Sequence, residues 1–395
     1  MPGRRLLAAA LAAALSTHAA PITQYRVGDD SKFLWTGRYL NRGDGSVVAD
    51  VEGASLSFVV ANASFVGLAL NDTTNGGAKL GVWMDTNVSV PGLLADPNPA
   101  GRAMPFLRVA TLLTSSHVPL YVLGSGGQIS GLVVRYTVQL LSEWQMIGGS
   151  GPDSVLAFVA IATDGVLLPA PARKTRRLVV LGDSLSSGVG CGFDRPANGA
   201  PCGDGVPVDD SSTAWGSVLC DLLDAECEVL AASGITIFED KGYNLPLVFP
   251  YALGSMFSSW PAASRVAWGF AQHPADAILL ELGENDEHAS PPPTPAALAA
   301  AFEGFVETIL SSYGRADLPI FLTIANHEAG QSSAMKIAVS NLVGRGVKAT
   351  FLNATSPNEV NGSSIDVGCA GHPSAAQARL AAERAAPIVS AILGW

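Results

Sequence analysis

Up to residue 165 the apolar positions come in short runs, at 46–51, 55–60, 64–70, 79–84, 106–112, 119–123, 131–141 and 155–162. Turn-rich stretches separate them, among them Asn-Asp-Thr-Thr-Asn-Gly-Gly, Asp-Pro-Asn-Pro and Gly-Ser-Gly-Gly. Many short strands at this spacing predict an all-β sandwich or jelly-roll domain over residues 20–165. Residues 166–177, with Leu-Leu-Pro-Ala-Pro-Ala-Arg, read as a proline-stiffened linker that favours a fixed geometry between its neighbours.

From residue 178 to 395 the pattern changes: short apolar runs alternate with longer, alanine-rich segments. Strands are predicted at 178–181, 228–232, 277–281, 319–324 and 347–352, and helices at 215–223, 295–312, 332–343 and 374–393. Most of these strands are apolar almost throughout, as strands buried on both faces must be. The alternation predicts a five-stranded parallel sheet between two helical layers, an α/β/α sandwich. In such sheets the active site forms at the carboxyl ends of the strands.

Composition sets outer limits. A chain of 395 residues suits two domains, and 48% hydrophobic with 14% charged residues excludes a disordered chain. The net charge of -11 argues against nucleic acid or an anionic membrane as partner, because both require a basic surface. Arg4 and Arg5, an apolar run over 6–15, and small residues at Thr17 and Ala19 read as a signal peptide over 1–19. That run is about half the ~20 residues that span a bilayer, and no later segment is long and apolar enough to do so. The expectation is a secreted protein. Sequons at Asn62, Asn71, Asn87, Asn353 and Asn361 are glycosylation candidates in that compartment. The five cysteines should mostly pair there; Cys191–Cys202 and Cys220–Cys227 are the short-loop choices, leaving Cys369. Without a Cys-x-x-Cys pair no zinc site is expected, nor any cofactor.

The strand ends carry the chemistry. The first predicted strand runs into Gly182-Asp183-Ser184, the second ends in Ala232-Ser233-Gly234, the third in Gly283-Glu284-Asn285-Asp286, and the last leads to Gly371-His372-Pro373. A serine hydroxyl needs a base to become a nucleophile, and His372 is able to serve. The backbone N–H groups of Ser184 and Gly234, with the side-chain amide of Asn285, supply three donors for an oxyanion. A Gly-x-Ser-x-Gly elbow is excluded because position 186 is Ser.

These four blocks, in this order, resemble the SGNH (GDSL) hydrolases. Trp35-Thr-Gly-Arg-Tyr39, Ser142-Glu-Trp-Gln145, Asp164-Gly165, Leu168-Pro169, Gly368-Cys369 and His372-Pro373-Ser374 are similar to carbohydrate esterase family two. The resemblance implies a β jelly roll before an SGNH domain, removal of acetyl groups from polysaccharides, and an acetylated polysaccharide or glycan as substrate. SGNH enzymes usually carry an Asp two or three residues before the histidine; here Ala370 and Cys369 stand there, and the nearest acid is Asp366. Some family two members use a Ser-His dyad, with a main-chain carbonyl orienting the imidazole. Competing readings are a lipase or thioesterase of the same fold, and a carbohydrate-binding or wall protein with little or no activity. Asp183 reads as a structural hydrogen-bonding residue. Glu284, Asp286 and Glu287 read as loop charge, His288 and His327 as loop histidines near the site, and His117 and His273 as non-catalytic. Trp260 and Trp268 are either buried anchors or sugar-stacking rings.

Overall fold

The computed structural model describes residues 21–63, 65–72, 79–85, 106–109, 117–122, 132–140, 156–190, 210–238, 244–256, 261–324, 329–354, 368 and 372–395. The signal-peptide segment, Asn87, Asn361, Cys191, Cys202, Trp260, His327, Asp366 and Cys369 lie outside these. The chain forms two compact units, the first made of described residues up to Arg173 and the second of Lys174–Trp395 together with Val51–Gly53.

The first unit holds two antiparallel sheets. One contains β1 (Thr23–Arg26), β3 (Leu40–Asn41), β4 (Val47–Ala49), β6 (Phe65–Asp72), β9 (His117–Val122) and β11 (Leu156–Thr163), in the order β3-β4-β11-β6-β9, with β1 also paired to β11. The other contains β2 (Phe33–Thr36), β5 (Ser55–Ala61), β7 (Lys79–Asp85), β8 (Phe106–Val109), β10 (Leu132–Leu140) and β12 (Val166–Leu167), in the order β12-β5-β10-β7-β8, with β2 also paired to β5. Trp35, on β2, meets Phe158, on β11, edge to face at 5.0 Å, so an aromatic pair joins the two sheets. The Trp35 indole N–H, otherwise costly to bury, donates to the Val27 carbonyl at 3.0 Å. The sequence pattern misses β1, β2, β3 and β12. Each is at most four residues long, too short to show a period.

The second unit is built on a five-stranded parallel sheet: β13 (Arg176–Gly182), β14 (Ala225–Ala231), β15 (Ala277–Glu281), β16 (Ile320–Ile324) and β17 (Ala349–Asn353). Their order is β14-β13-β15-β16-β17. The pleat sends alternate residues to opposite faces. Val179 and Leu181 join one core with Phe302, Phe305 and Ile309 of helix α5 (Pro295–Tyr313) and Met335 and Leu342 of α6 (Ala329–Gly344). Leu178 and Val180 join the other, with Trp215 and Leu219 of α2 (Trp215–Leu222) and Ala378, Ala382 and Val389 of α7 (Ala375–Leu393). The alanines along α7 let that helix lie close to the sheet. β14 begins three residues before its predicted start, with Glu226 only half-buried. It lies at the sheet edge, where polar positions are tolerated. The expected Cys220–Cys227 disulfide ties α2 to β14.

Phe302 is fully buried, and its ring underlies the turn at Gly283. Phe302→Ala should therefore cost about 3–5 kcal/mol of unfolding free energy, read as a lowered urea midpoint.

Candidate active site

β13 is where the strand order reverses. β14 lies on one side of it and β15 on the other, so the connections leaving β13 and β15 diverge and open a crevice at their carboxyl ends. Ser184 stands there as the first residue of α1 (Ser184–Ser187), directly after Asp183, which caps the turn by accepting the Leu185 N–H at 3.2 Å. Ser186 and Ser187 donate backbone N–H groups to the Asp183 carbonyl, and Gly188 and Val189 to that of Ser184. Every backbone group that tightens this turn is thus used within it. Gly182 is required by space: a Cβ would collide with the Ser186 side chain and press on the Glu281 carbonyl.

The turn after β14 places Gly234 at φ +75°, in the left-handed region that glycine adopts without strain. Two neighbours on α4 (Glu284–Glu287) hold this turn. Asn285 Nδ2 donates to the Ile235 carbonyl at 3.0 Å. The Asp286 carboxylate accepts the Ile237 N–H at 3.1 Å and the Phe238 N–H at 2.9 Å. Asp286 is only 2% exposed, which corrects its reading as loop charge. Hydrogen bonds to a buried charge are worth about 1.5–3 kcal/mol each, so Asp286 is a structural brace for the segment that carries Gly234.

Three donors were expected here. Among the described residues the N–H groups of Ser184 and Gly234 have no partner, as a preorganised oxyanion site requires. The amide of Asn285 differs. Besides Ile235 it reaches Asp183 Oδ2 at 3.4 Å, so it would have to exchange that long contact for an oxyanion. His372 is half-buried two residues before Ser374, whose hydroxyl caps α7 by accepting the Gln377 N–H. The Gly368 N–H donates to the His372 carbonyl at 2.8 Å, closing the loop on itself. A Cβ on Gly368 would collide with the carbonyl of Gly190, so Gly368 lies directly against the segment that follows α1.

Beside the turn that carries Ser184 lies a pair of carboxyls, of which the sequence reading singles out Asp183 as a hydrogen-bonding residue and passes over Glu281. Asp183 and Glu281 are both fully buried and hydrogen-bond to one another. Burial raises the Asp183 carboxyl above the ordinary range, and the neighbouring Glu284 and Asp286 carboxylates act the same way, while the Leu185 N–H and the hydrogen bond with Glu281 favour its charged form. Burial also holds Glu281 well above the ordinary range, helped by Asp183 and Glu284. A charge at the end of the otherwise apolar run Ala277–Glu281 was the signal available in the sequence. Among the other candidates, His288 Nδ1 contacts the Glu284 carbonyl at 2.9 Å on an exposed turn. Trp268 is 5% exposed and stacks on His273 at 4.1 Å, which makes it a buried anchor and leaves no ring face open to a sugar.

No family model and no curated protein matches the chain. Solved structures do. A family two carbohydrate esterase from Cellvibrio japonicus is similar at a TM-score of 0.72 and 19% identity, covering 95% of this chain and 99% of that one. An acetyl xylan esterase from the rumen bacterium Butyrivibrio proteoclasticus matches at 0.70 and 16%, over 95% and 99%. A family two carbohydrate esterase from Clostridium thermocellum, in complex with cellohexaose, matches at 0.68 and 17%, over 92% and 99%. The chain therefore has the fold of the family two carbohydrate esterases: antiparallel β-sheets joined to an SGNH-type α/β/α sandwich.

Proposed function

We propose that this protein is a secreted serine esterase that removes O-acetyl groups from a polysaccharide or glycan. The observation that carries the reading is the pair of unpartnered N–H groups, on Ser184 and Gly234, at the switch point of the parallel sheet. His372 takes the Ser184 hydroxyl proton as Oγ attacks the acetyl carbonyl. The two N–H groups receive the oxyanion, joined by Asn285, each donor worth about 3 kcal/mol of barrier. Collapse of the intermediate breaks the bond to the sugar oxygen, which takes the proton from His372 and leaves as a hydroxyl, while the acetyl group stays on Ser184 as an ester. Water then repeats the sequence and frees the enzyme. No cofactor enters this scheme.

The substrate class rests on likeness: similar structures bear the names carbohydrate esterase and acetyl xylan esterase, and one holds cellohexaose. Secretion rests on the signal-peptide pattern over 1–19 and on the Cys220–Cys227 disulfide, which suits an oxidising compartment. Of the sequons, Asn62 and Asn353 are exposed, as glycosylation requires.

Acetate release across a panel of acetylated polysaccharides tests the reading, with a long-chain ester as the contrasting substrate. Ser184→Ala should fold normally and lose turnover on the order of a million-fold. A well-folded mutant that keeps more than a few per cent of activity would show that Ser184 is not the nucleophile. A main-chain carbonyl, rather than Asp366, is the simpler partner for the second ring nitrogen of His372. Asp366→Asn should then cost no more than about tenfold, whereas a triad acid would cost roughly ten thousand-fold.

A further inference from the structure

The buried carboxyls of Asp183 and Glu281 take no direct part in the chemistry above, yet they contact the turn that carries Ser184 and the Asn285 amide. Asp183 accepts the Leu185 N–H at 3.2 Å and lies 3.4 Å from the Asn285 amide. Glu281 Oε2 accepts the Ser186 hydroxyl at 3.0 Å. Its other oxygen, Oε1, is buried, and no donor of the protein reaches it. Carboxylates are acceptors only, so two of them facing each other away from water must hold a proton between them.

We propose that Glu281 carries that proton and donates it to Asp183, and that the resulting acid–carboxylate pair is the positioning device for Ser184 and Asn285. The assignment of these two residues to ester hydrolysis is the reading made above, and the pair's role rests on it. Of the two, Glu281 is the better proton holder. Asp183 already receives a backbone N–H and faces an amide N–H, both of which favour its charged form, whereas Glu281 receives one hydroxyl. The groups around the pair add no compensating positive charge: Glu284 and Asp286 on α4 are acidic, and Ser186 on α1 is neutral.

The consequence for catalysis concerns Asn285. While Glu281 donates to Asp183, the charge on Asp183 is satisfied, and the long contact from Asn285 is free to be exchanged for an oxyanion. When the last proton leaves, two carboxylates oppose each other in a buried site. Asp183 then draws the Asn285 amide to itself, and the ends of β13 and β15 are pushed apart. Activity should fall at alkaline pH, as Glu281 loses its proton, through kcat rather than KM. Stability should change in the same direction. A carboxyl whose folded value lies above its unfolded one favours the fold at low pH, and that contribution is lost as pH rises through the folded value.

Glu281→Gln supplies the decisive variant, because the amide keeps an acceptor for Ser186 and a donor for Asp183 but has no proton to lose. It should retain kcat on a small acetyl ester within about threefold near neutral pH and should lack the alkaline fall of the parent. Glu281→Met, which removes donor and acceptor, should lower kcat by about a hundredfold or more with KM little changed. A folded Glu281→Gln that loses as much as the Met variant, or that falls at alkaline pH as the parent does, overturns the proposal. An infrared difference spectrum of the parent without substrate, from neutral to alkaline pH, keeps the test open should the variants not fold. It should show a protonated-acid carbonyl band that disappears at alkaline pH and shifts when glutamate is isotope-labelled. Absence of that band, or a band that does not respond to labelled glutamate, also overturns the proposal. The spectrum involves no ester, so it separates a failure of the carboxyl pair from a failure of Ser184 as nucleophile.

Discussion

Everything at the candidate site depends on the place of β13 in its sheet. It is an interior strand with the first crossover on one side and the rest of the sheet on the other, and it ends in a glycine that tolerates no side chain. That ending lets Ser186 fold back over Gly182 and press α1 against the strand. Ser184 follows as the first helical residue, with its backbone N–H left unpaired. The two apolar cores hold β13 from both faces through alternate side chains. The strand end is therefore as rigid as the domain interior, and rigidity is what a preorganised donor site requires.

The segment after β14 has no comparable support from the sheet and obtains it from side chains. Asn285 grips a carbonyl of this segment, and Asp286 grips two of its N–H groups. The short helix α4 therefore locates Gly234. Such bracing concentrates acidic groups: Asp183, Glu281, Glu284 and Asp286 share a small volume. Protonation within that group relieves part of the repulsion, which connects the geometry of the nucleophile turn with pH.

The parallel sheet was readable in advance, because strands buried on both faces are apolar along their length and contrast with the helices between them. Ser184, Gly234, Asn285 and His372 were candidates because each follows such a run at a strand end, and topology alone assigns strand ends to one side. The antiparallel unit was readable as a class but not in detail: β1, β2, β3 and β12 are too short to carry a period, and their pairing is a long-range matter.

Sequence by itself thus determined the layer architecture and which residues stand at the strand ends, since both follow from local hydrophobic pattern and chain order. Burial and partnership were decided only in three dimensions. Asp286 looks like a charge on an acidic turn until it is seen holding two backbone N–H groups, and Glu281 looks like a strand terminus until Asp183, nearly a hundred residues earlier in the chain, is found against it. Whether a carboxyl is solvated, braced or sharing a proton depends on which groups surround it after folding, and no local pattern encodes that neighbourhood.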